Sequence, residues 1–172
     1  LLDNSSSLSA IDPVWYHNRG RAYDQNKQYR EANEDYTRYL ECIRYDVNNW
    51  LHVPTLLYRG STFLRMKQYS EAIKDLNIVI QRKPNTFSAI MYRGTAAMAS
   101  SDFRLAVSDF SRLIQADENN HFAWYQRAMA HGQLGEVVDA MRDIEQALTL
   151  SPDNKFYTGL KSKIEALAAK MN

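Results

Sequence analysis

The sequence repeats itself every 34 residues over most of its length. Three consecutive stretches, residues 53–86, 87–120 and 121–154, align without a gap. Small residues share one offset in these stretches: Gly60, Gly94 and Ala128. Alanines share another: Ala72, Ala106 and Ala140. A fixed period of this length predicts a stack of similar structural units and excludes an irregular globular fold.

Each repeat predicts two α-helices. Apolar residues recur three and four positions apart, which is the period of an amphipathic helix, and no strict alternation indicates a strand. Breaks such as Lys83-Pro84-Asn85 separate the repeats, because proline lacks the backbone donor and Asn or Asp caps a following helix. A single helical hairpin of this size cannot bury its apolar face, so the units must stack.

These repeats are similar to those of the tetratricopeptide repeat family. The second unit shows the residues of the family motif: Gly60, Phe63, Tyr69, Ala72, Leu76, Val79 and Pro84. In the fourth unit, Ala128 stands where Gly is usual and His131 where an aromatic is usual. The resemblance covers residues 13–154. It implies an all-α fold, a right-handed superhelical solenoid of antiparallel helix pairs with a concave groove, and a role in binding other proteins.

The repeats predict the organisation of the chain. A first copy begins near Pro13 and carries a six-residue insertion around Tyr45 to Val53, where Trp50 also lies. We expect a linker or upstream remnant, four repeats and a capping helix, with these bounds: 1–12, 13–52, 53–86, 87–120, 121–154 and 155–172. The last helix has an apolar stripe and a polar face, as a terminal cap of a solenoid requires. A truncated fifth repeat is the alternative.

One charged pattern recurs in all four units. An Arg precedes the small residue, and an Asp follows it 16 positions later. The pairs are Arg19 and Asp35, Arg59 and Asp75, Arg93 and Asp109, and Arg127 and Asp143. Because Arg grips a carboxylate at two points, we expect ion pairs that lock each hairpin or bridge adjacent hairpins. The alternative is a ladder of arginines for an acidic ligand.

The resemblance implies a groove lined by the first helix of each pair. Counting along the units predicts these groove residues: Asn18, Arg21, Leu57, Tyr58, Arg65, Met91, Tyr92, Met98, Tyr125 and Met129. His17 is expected on the same face. The predicted surface changes from polar to aromatic and Met-rich, a composition enriched at recognition surfaces. The alternative is that these side chains pack against neighbouring helices.

Some members of the family hold the acidic C-terminal tail of heat-shock chaperones with Lys, Asn and Arg side chains. The matching positions in this sequence are His17, Arg21, Tyr58, Met91 and Thr95. The expected residue set is absent, so we do not expect a carboxylate clamp of that kind.

Composition excludes several other functions. The net charge is +1, whereas nucleic-acid binding needs a strongly basic surface. The sequence contains no run of 18 apolar residues, so it predicts no membrane-spanning helix. The single cysteine, Cys42, favours a reducing, cytoplasmic setting, and we expect it to be a small core residue. No glycine-rich phosphate loop or metal-ligand spacing occurs, so we expect no enzyme, cofactor or metal. His131 is expected to be half-buried in the core.

The sequence therefore predicts a non-catalytic protein-interaction module. It would hold a peptide or helix of a partner protein in its groove, as an adaptor or scaffold within a larger protein or complex. The alternative is a structural spacer or a self-associating segment of a longer array.

Overall fold

The computed structural model describes residues 12–44, 46 and 48–170, so the linker expected at 1–12 lies almost wholly outside the described residues. Within them the fold is all-α, as predicted, with nine helices and no strand. The helices are α1 (Pro13–Gln25), α2 (Tyr29–Cys42), α3 (His52–Arg65), α4 (Tyr69–Arg82), α5 (Phe87–Ala99), α6 (Phe103–Ala116), α7 (His121–Gln133), α8 (Val137–Leu150) and α9 (Lys155–Ala169). None of these helices is long and apolar enough to cross a membrane.

The chain divides into two compact units, which meet in sequence between Val79 and Ile80. In unit 1, α1 packs against α2 and α2 against α3, while Leu76 of α4 lies over Gly60 of α3. In unit 2, each helix from α5 to α9 packs against the next, and α7 also contacts α9. Neighbours in sequence are therefore neighbours in space within each unit, as expected for a repeat fold.

A short turn joins the two helices of every pair, and the middle residue of the turn has a left-handed backbone conformation. The residues and φ angles are Lys27 (62°), Lys67 (61°), Ser101 (65°) and Gly135 (75°). This conformation strains any side chain that has a Cβ, so only the fourth turn has the residue best suited to it. The regular spacing of the turns fixes where each second helix begins.

Side-chain caps define several helix starts. Asp12, Asp102, Asn120 and Asn154 each accept a hydrogen bond from a backbone N–H in the first turn of the following helix. Such caps satisfy donors that have no partner inside the helix. Asn154 follows Pro152, and both lie in the break between the end of α8 at Leu150 and the start of α9 at Lys155.

The small residue of each pair lies where the two helices cross. A Cβ on Gly20 would come within 2.7 Å of the Tyr36 ring, and one on Gly94 within 3.1 Å of the Phe110 ring. The fourth pair has Ala128 at this position and Ile144 at the position of those rings. The repeated small residues thus let an aromatic or aliphatic side chain of the second helix fill the hairpin.

The insertion between α2 and α3 folds back onto the first hairpin. Leu51 is buried against Tyr39 and Ile43. The Tyr39 hydroxyl donates to Asn49 Oδ1 over 2.6 Å. Trp50 is 76% exposed. The insertion is therefore anchored by Leu51 and Asn49, and it presents Trp50 to solvent.

Helix α9 packs in the register of a first helix. Its Tyr157 and Ile164 are buried with Ile144 of α8. Lys161 lies 34 residues after Arg127, and its Nζ is 3.3 Å from Glu145 Oε1 of α8.

One core assignment from the sequence is wrong. Cys42, the last residue of α2, is exposed, whereas Ile43 after it is buried against Leu51. Cys42 therefore contributes little to the core.

Candidate partner-binding surfaces

The repeated Arg and Asp residues meet in all four helix pairs. Each guanidinium donates from Nε and Nη2 to the two oxygens of its carboxylate. The Nε to Oδ2 distances in chain order are 2.5, 2.7, 2.9 and 2.7 Å. Every one of these Asp residues is buried. A two-point contact to a buried carboxylate orients both helices and leaves that carboxylate's charge compensated.

Two of these arginines also reach the preceding second helix. Arg59 Nη1 donates to Thr37 Oγ1 over 3.2 Å, and Arg127 Nη1 donates to Ser111 Oγ over 2.9 Å. These side chains therefore both lock their own hairpin and bridge to the one before. Their donors are directed at neighbouring helices, which favours the structural interpretation over a ladder for an acidic ligand.

The predicted groove residues of unit 1 form what we call the unit 1 face: Asn18, Arg21, Leu57, Tyr58 and Arg65. Asn18, Arg21 and Arg65 are exposed, and the other two are half-buried. The Arg21 guanidinium lies 5.3 Å from the centre of the Tyr58 ring. The Arg65 guanidinium lies 5.4 Å from the Tyr29 ring. Neither guanidinium has an ion-pair partner within 4 Å among the described residues, so both are available to an acidic group.

His17 is buried and does not belong to this face. Its Nδ1 is 2.7 Å from Thr55 Oγ1, which itself donates to the Leu51 carbonyl. Because the hydroxyl proton is used on that carbonyl, His17 must donate from Nδ1, which fixes the neutral tautomer. Burial, reinforced by the charge of Arg21, lowers the pKa of His17. Counting along the helix predicted His17 in the groove, but the structure buries its side chain against α3.

Tyr36 lies beneath the unit 1 face with an unpartnered hydroxyl. The ring is fully buried and stacks on Tyr58 with centroids 6.1 Å apart. Its hydroxyl has no hydrogen-bond partner among the described residues. Burial, aided by the charge of Asp24, raises the pKa of Tyr36. Partial burial also raises the pKa of Asp24, against the opposing charge of Arg65.

The predicted groove residues of unit 2 form what we call the unit 2 face: Met91, Tyr92, Met98, Tyr125 and Met129. All five are half-buried. Tyr125 stacks on Tyr157 of α9 with ring centroids 4.6 Å apart. A 2.7 Å hydrogen bond joins the Tyr157 hydroxyl to His121 Nδ1. Tyr125 is thus partly used in packing, as the alternative interpretation held, while Met129 lines an open cavity.

That cavity lies between α7 and α9 and has a volume of about 310 Å³. Its lining residues are Met129, Gly132, Gln133, Leu160, Lys163, Ile164 and Leu167. Most of this surface is apolar, and Lys163 is its one charged residue. A concave apolar surface with few polar groups is the usual form of a ligand site.

Tetratricopeptide repeat models match three segments of the sequence: residues 16–43, 55–86 and 121–154. Together these segments span more than half of the chain. The chain belongs to the tetratricopeptide repeat family. Each matched segment covers one helix pair with its turn: most of α1 with α2, most of α3 with α4, and α7 with α8.

Solved structures of tetratricopeptide repeat proteins have the same fold. MamA from Desulfovibrio magneticus RS-1 superposes with a TM-score of 0.76 at 16% identity, covering 94% of this chain and 93% of that one. YrrB, described as having an unusual peptide-binding site, gives 0.79 at 17% identity and coverages of 87% and 74%. The first repeat domain of Spaghetti (RPAP3), bound to the HSP90 peptide SRMEEVD, gives 0.64 at 24% identity and coverages of 68% and 93%. No curated protein sequence has significant similarity to the chain.

Tetratricopeptide repeat domains are typically non-catalytic interaction modules, and the described part of this chain shows no metal-binding cluster. No group of three or more His, Cys, Asp or Glu residues that could hold an ion occurs there.

The side chain of His131 was predicted to be half-buried, and the structure confirms this. Its Nδ1 lies 2.6 Å from Glu136 Oε2.

Sequence reasoning missed the contribution of α9 to the unit 2 face. The sequence assigned the apolar stripe of the last helix only to a cap, yet Leu160 and Leu167 of that stripe line the cavity beside Met129. The repeat register contains the signal, because these residues lie 34 positions after Gln126 and Gln133, which the register predicts on the groove side of α7. Extending the repeat register into residues 155–172 predicts them.

Proposed function

We propose that this chain is a protein-interaction module that binds a peptide or helix of a partner on the faces of its first helices. It acts as an adaptor or scaffold and performs no catalysis. We place it in the cytoplasm, since its single cysteine suits a reducing compartment. The observation that carries the proposal is the open cavity beside Met129, whose lining is mostly apolar.

The two faces support different contacts. On the unit 1 face, Arg21 and Arg65 are exposed and would orient an acidic group of the partner. On the unit 2 face, methionines and tyrosines would hold apolar side chains. Methionine adapts its shape to different partners, and tyrosine combines an apolar ring with a polar tip. We therefore propose a partner segment with apolar anchors and at least one acidic residue.

The proposal is tested by affinity capture from an extract of the source cells, read by quantitative mass spectrometry. Tyr92→Glu places a charge on the unit 2 face. Val138→Glu makes the matched apolar-to-acid change on α8, where Val138 is 74% exposed. Far-UV circular dichroism verifies that both variants keep their helices. We expect a partner that is lost with Tyr92→Glu and retained by Val138→Glu. Retention by Tyr92→Glu would refute binding on this face.

Self-association is the second candidate, and exposed apolar side chains of unit 2 favour it. Phe156 is 79% exposed, and Val138 borders an open surface groove with Met141 and Ala168. Sedimentation velocity over a hundredfold concentration range separates the two functions. A mass that rises with concentration in the wild type and not in Val138→Glu would support self-association through α8. A constant monomer mass would exclude it.

A further inference from the structure

Two helical glycines of unit 2, one in the last turn of α7 and one inside α9, have no packing reason within the described chain. A Cβ on Gly132 of α7 or Gly159 of α9 would meet no atom within 4 Å. The glycines of the helix crossings differ, since a Cβ on Gly20 would strike a buried ring. Glycine within a helix is destabilising relative to alanine, and no contact of the described residues compensates for it at Gly159 inside α9 or at Gly132 in the last turn of α7.

Gly132 also borders the cavity between α7 and α9. The Cβ of any larger residue at this position would project into open space beside that cavity, and the side chain would reduce the volume of the cavity. Glycine is the residue found where another backbone or a ligand approaches closely. The missing side chain at Gly132 and the open cavity are two separate observations, and both point to an occupant from outside the chain.

The charge of the cavity indicates what that occupant carries. Lys163 is exposed, and it is the one charged residue of the lining. No carboxylate of the described residues lies within ion-pair distance of its ammonium. The remaining walls are mostly apolar side chains, led by Met129, Leu160 and Leu167. The cavity therefore complements an apolar group that has an acidic group next to it.

We propose that this cavity holds one apolar side chain of an extended segment from a partner protein. The carboxylate of an adjacent Asp or Glu pairs with Lys163, and the segment's backbone lies over Gly132. A volume of about 310 Å³ is at the low end of the range for ligand pockets, which suits a side chain better than the face of a helix. This inference rests on the proposed function and names the chemistry of the segment that unit 2 recognises.

The test uses two mixtures of amidated nonapeptides with a central Leu and otherwise random ends. One mixture has Glu on both sides of the Leu, and the other has Lys. Binding to the whole chain is measured by fluorescence anisotropy, and the site is located from the methyl NMR signals of Leu160 and Leu167. Gly132→Leu places a leucine side chain at a position that lines the cavity, and it also raises helix propensity. Gly159→Leu makes the same change on α9 at a position outside the cavity lining, and so serves as the matched control.

We expect the Glu mixture to bind and to shift both leucine signals. Gly132→Leu should weaken this binding at least about tenfold, as loss of a central anchor does, while Gly159→Leu leaves it within about twofold. Lys163→Glu should transfer the preference to the Lys mixture, whereas Lys155→Glu, the same charge change at the first residue of α9 and outside the cavity lining, should not. Equal binding of both mixtures, or full binding by Gly132→Leu, would overturn the inference.

The outcome also separates this inference from the proposed function. Peptides that shift Met91 or Tyr92 signals and leave Leu160 and Leu167 unmoved would contradict the cavity site, yet support a partner site on first helices. Concentration-dependent shifts without peptide would assign the cavity to a second copy of the chain and overturn the inference. Peptides that shift no first-helix residue would count against both.

Discussion

Two ion pairs that involve α8, one to α7 and one within the helix, have almost the same length and very different surroundings. Arg127 Nε lies 2.7 Å from Asp143 Oδ2, and Arg142 Nη1 lies 2.8 Å from Asp139 Oδ1. The side chains of the first pair are 18% and 3% exposed, and those of the second are 70% and 47% exposed. Replacing Arg by Ala in each pair therefore measures how burial changes the contribution of an Arg–Asp ion pair to the free energy of unfolding.

Arg127→Ala leaves the Asp143 carboxylate buried without its two-point partner. Breaking a buried pair in this way destabilises a protein by about 3–5 kcal/mol. Such a loss is a large share of the roughly 5–15 kcal/mol by which proteins are stable. An exposed pair contributes about 0–1 kcal/mol, so Arg142→Ala should change stability by no more than that.

The assay is urea unfolding followed by far-UV circular dichroism. At an m value of about 2 kcal/mol/M, the midpoint of Arg127→Ala should fall by roughly 2 M, and that of Arg142→Ala by less than about 0.5 M. Arg127→Lys keeps the charge and loses the two-point geometry, so it should lie between the wild type and Arg127→Ala. Equal midpoints for Arg127→Ala and Arg142→Ala would refute the view that the repeated pairs stabilise the hairpins.

Three further predictions follow from local geometry. Gly135→Ala should destabilise by about 1 kcal/mol because its φ is 75°, whereas Gly132→Ala, in the last turn of α7, should stabilise by less than about 1 kcal/mol, both read from thermal unfolding. The lowered pKa of His17 means that the unfolded chain binds its proton more readily, so stability should fall as pH drops through about 6.5. His17→Gln should flatten that loss between pH 7.5 and 5.5, and an unchanged slope would contradict it. Trp50→Ala should change the urea midpoint little, while Leu51→Ala should cost about 2–5 kcal/mol as a buried residue does.

The sequence was sufficient to predict the fold because the period is strict. Each Gly or Ala at the helix crossings marks a place where only a small residue fits, as the Tyr36 contact with Gly20 shows. The 16-residue interval between Arg127 and Asp143 likewise places both groups at the same height on adjacent helices, and the structure brings them together. These features depend on register alone, which a sequence records directly.

Other features depend on which neighbour a side chain meets, and the sequence does not record this. His17 is on the groove side by register, but Thr55 of α3 gives it a partner and buries it. Tyr125 is partly covered by the ring of Tyr157 from α9. Cys42 is exposed, while its neighbour Ile43 packs on Leu51. In each case tertiary contacts decide burial, and counting along a helix does not reveal them.

The central claim, that partners bind on the first helices, is tested most directly by hydrogen exchange. Exchange of backbone amides is measured by mass spectrometry on the chain alone and on the chain with the partner identified by affinity capture. The account predicts added protection in segments from first helices, particularly residues 87–99, 121–133 and 155–169. Protection confined to the second helices, such as residues 103–116 and 137–150, would contradict it.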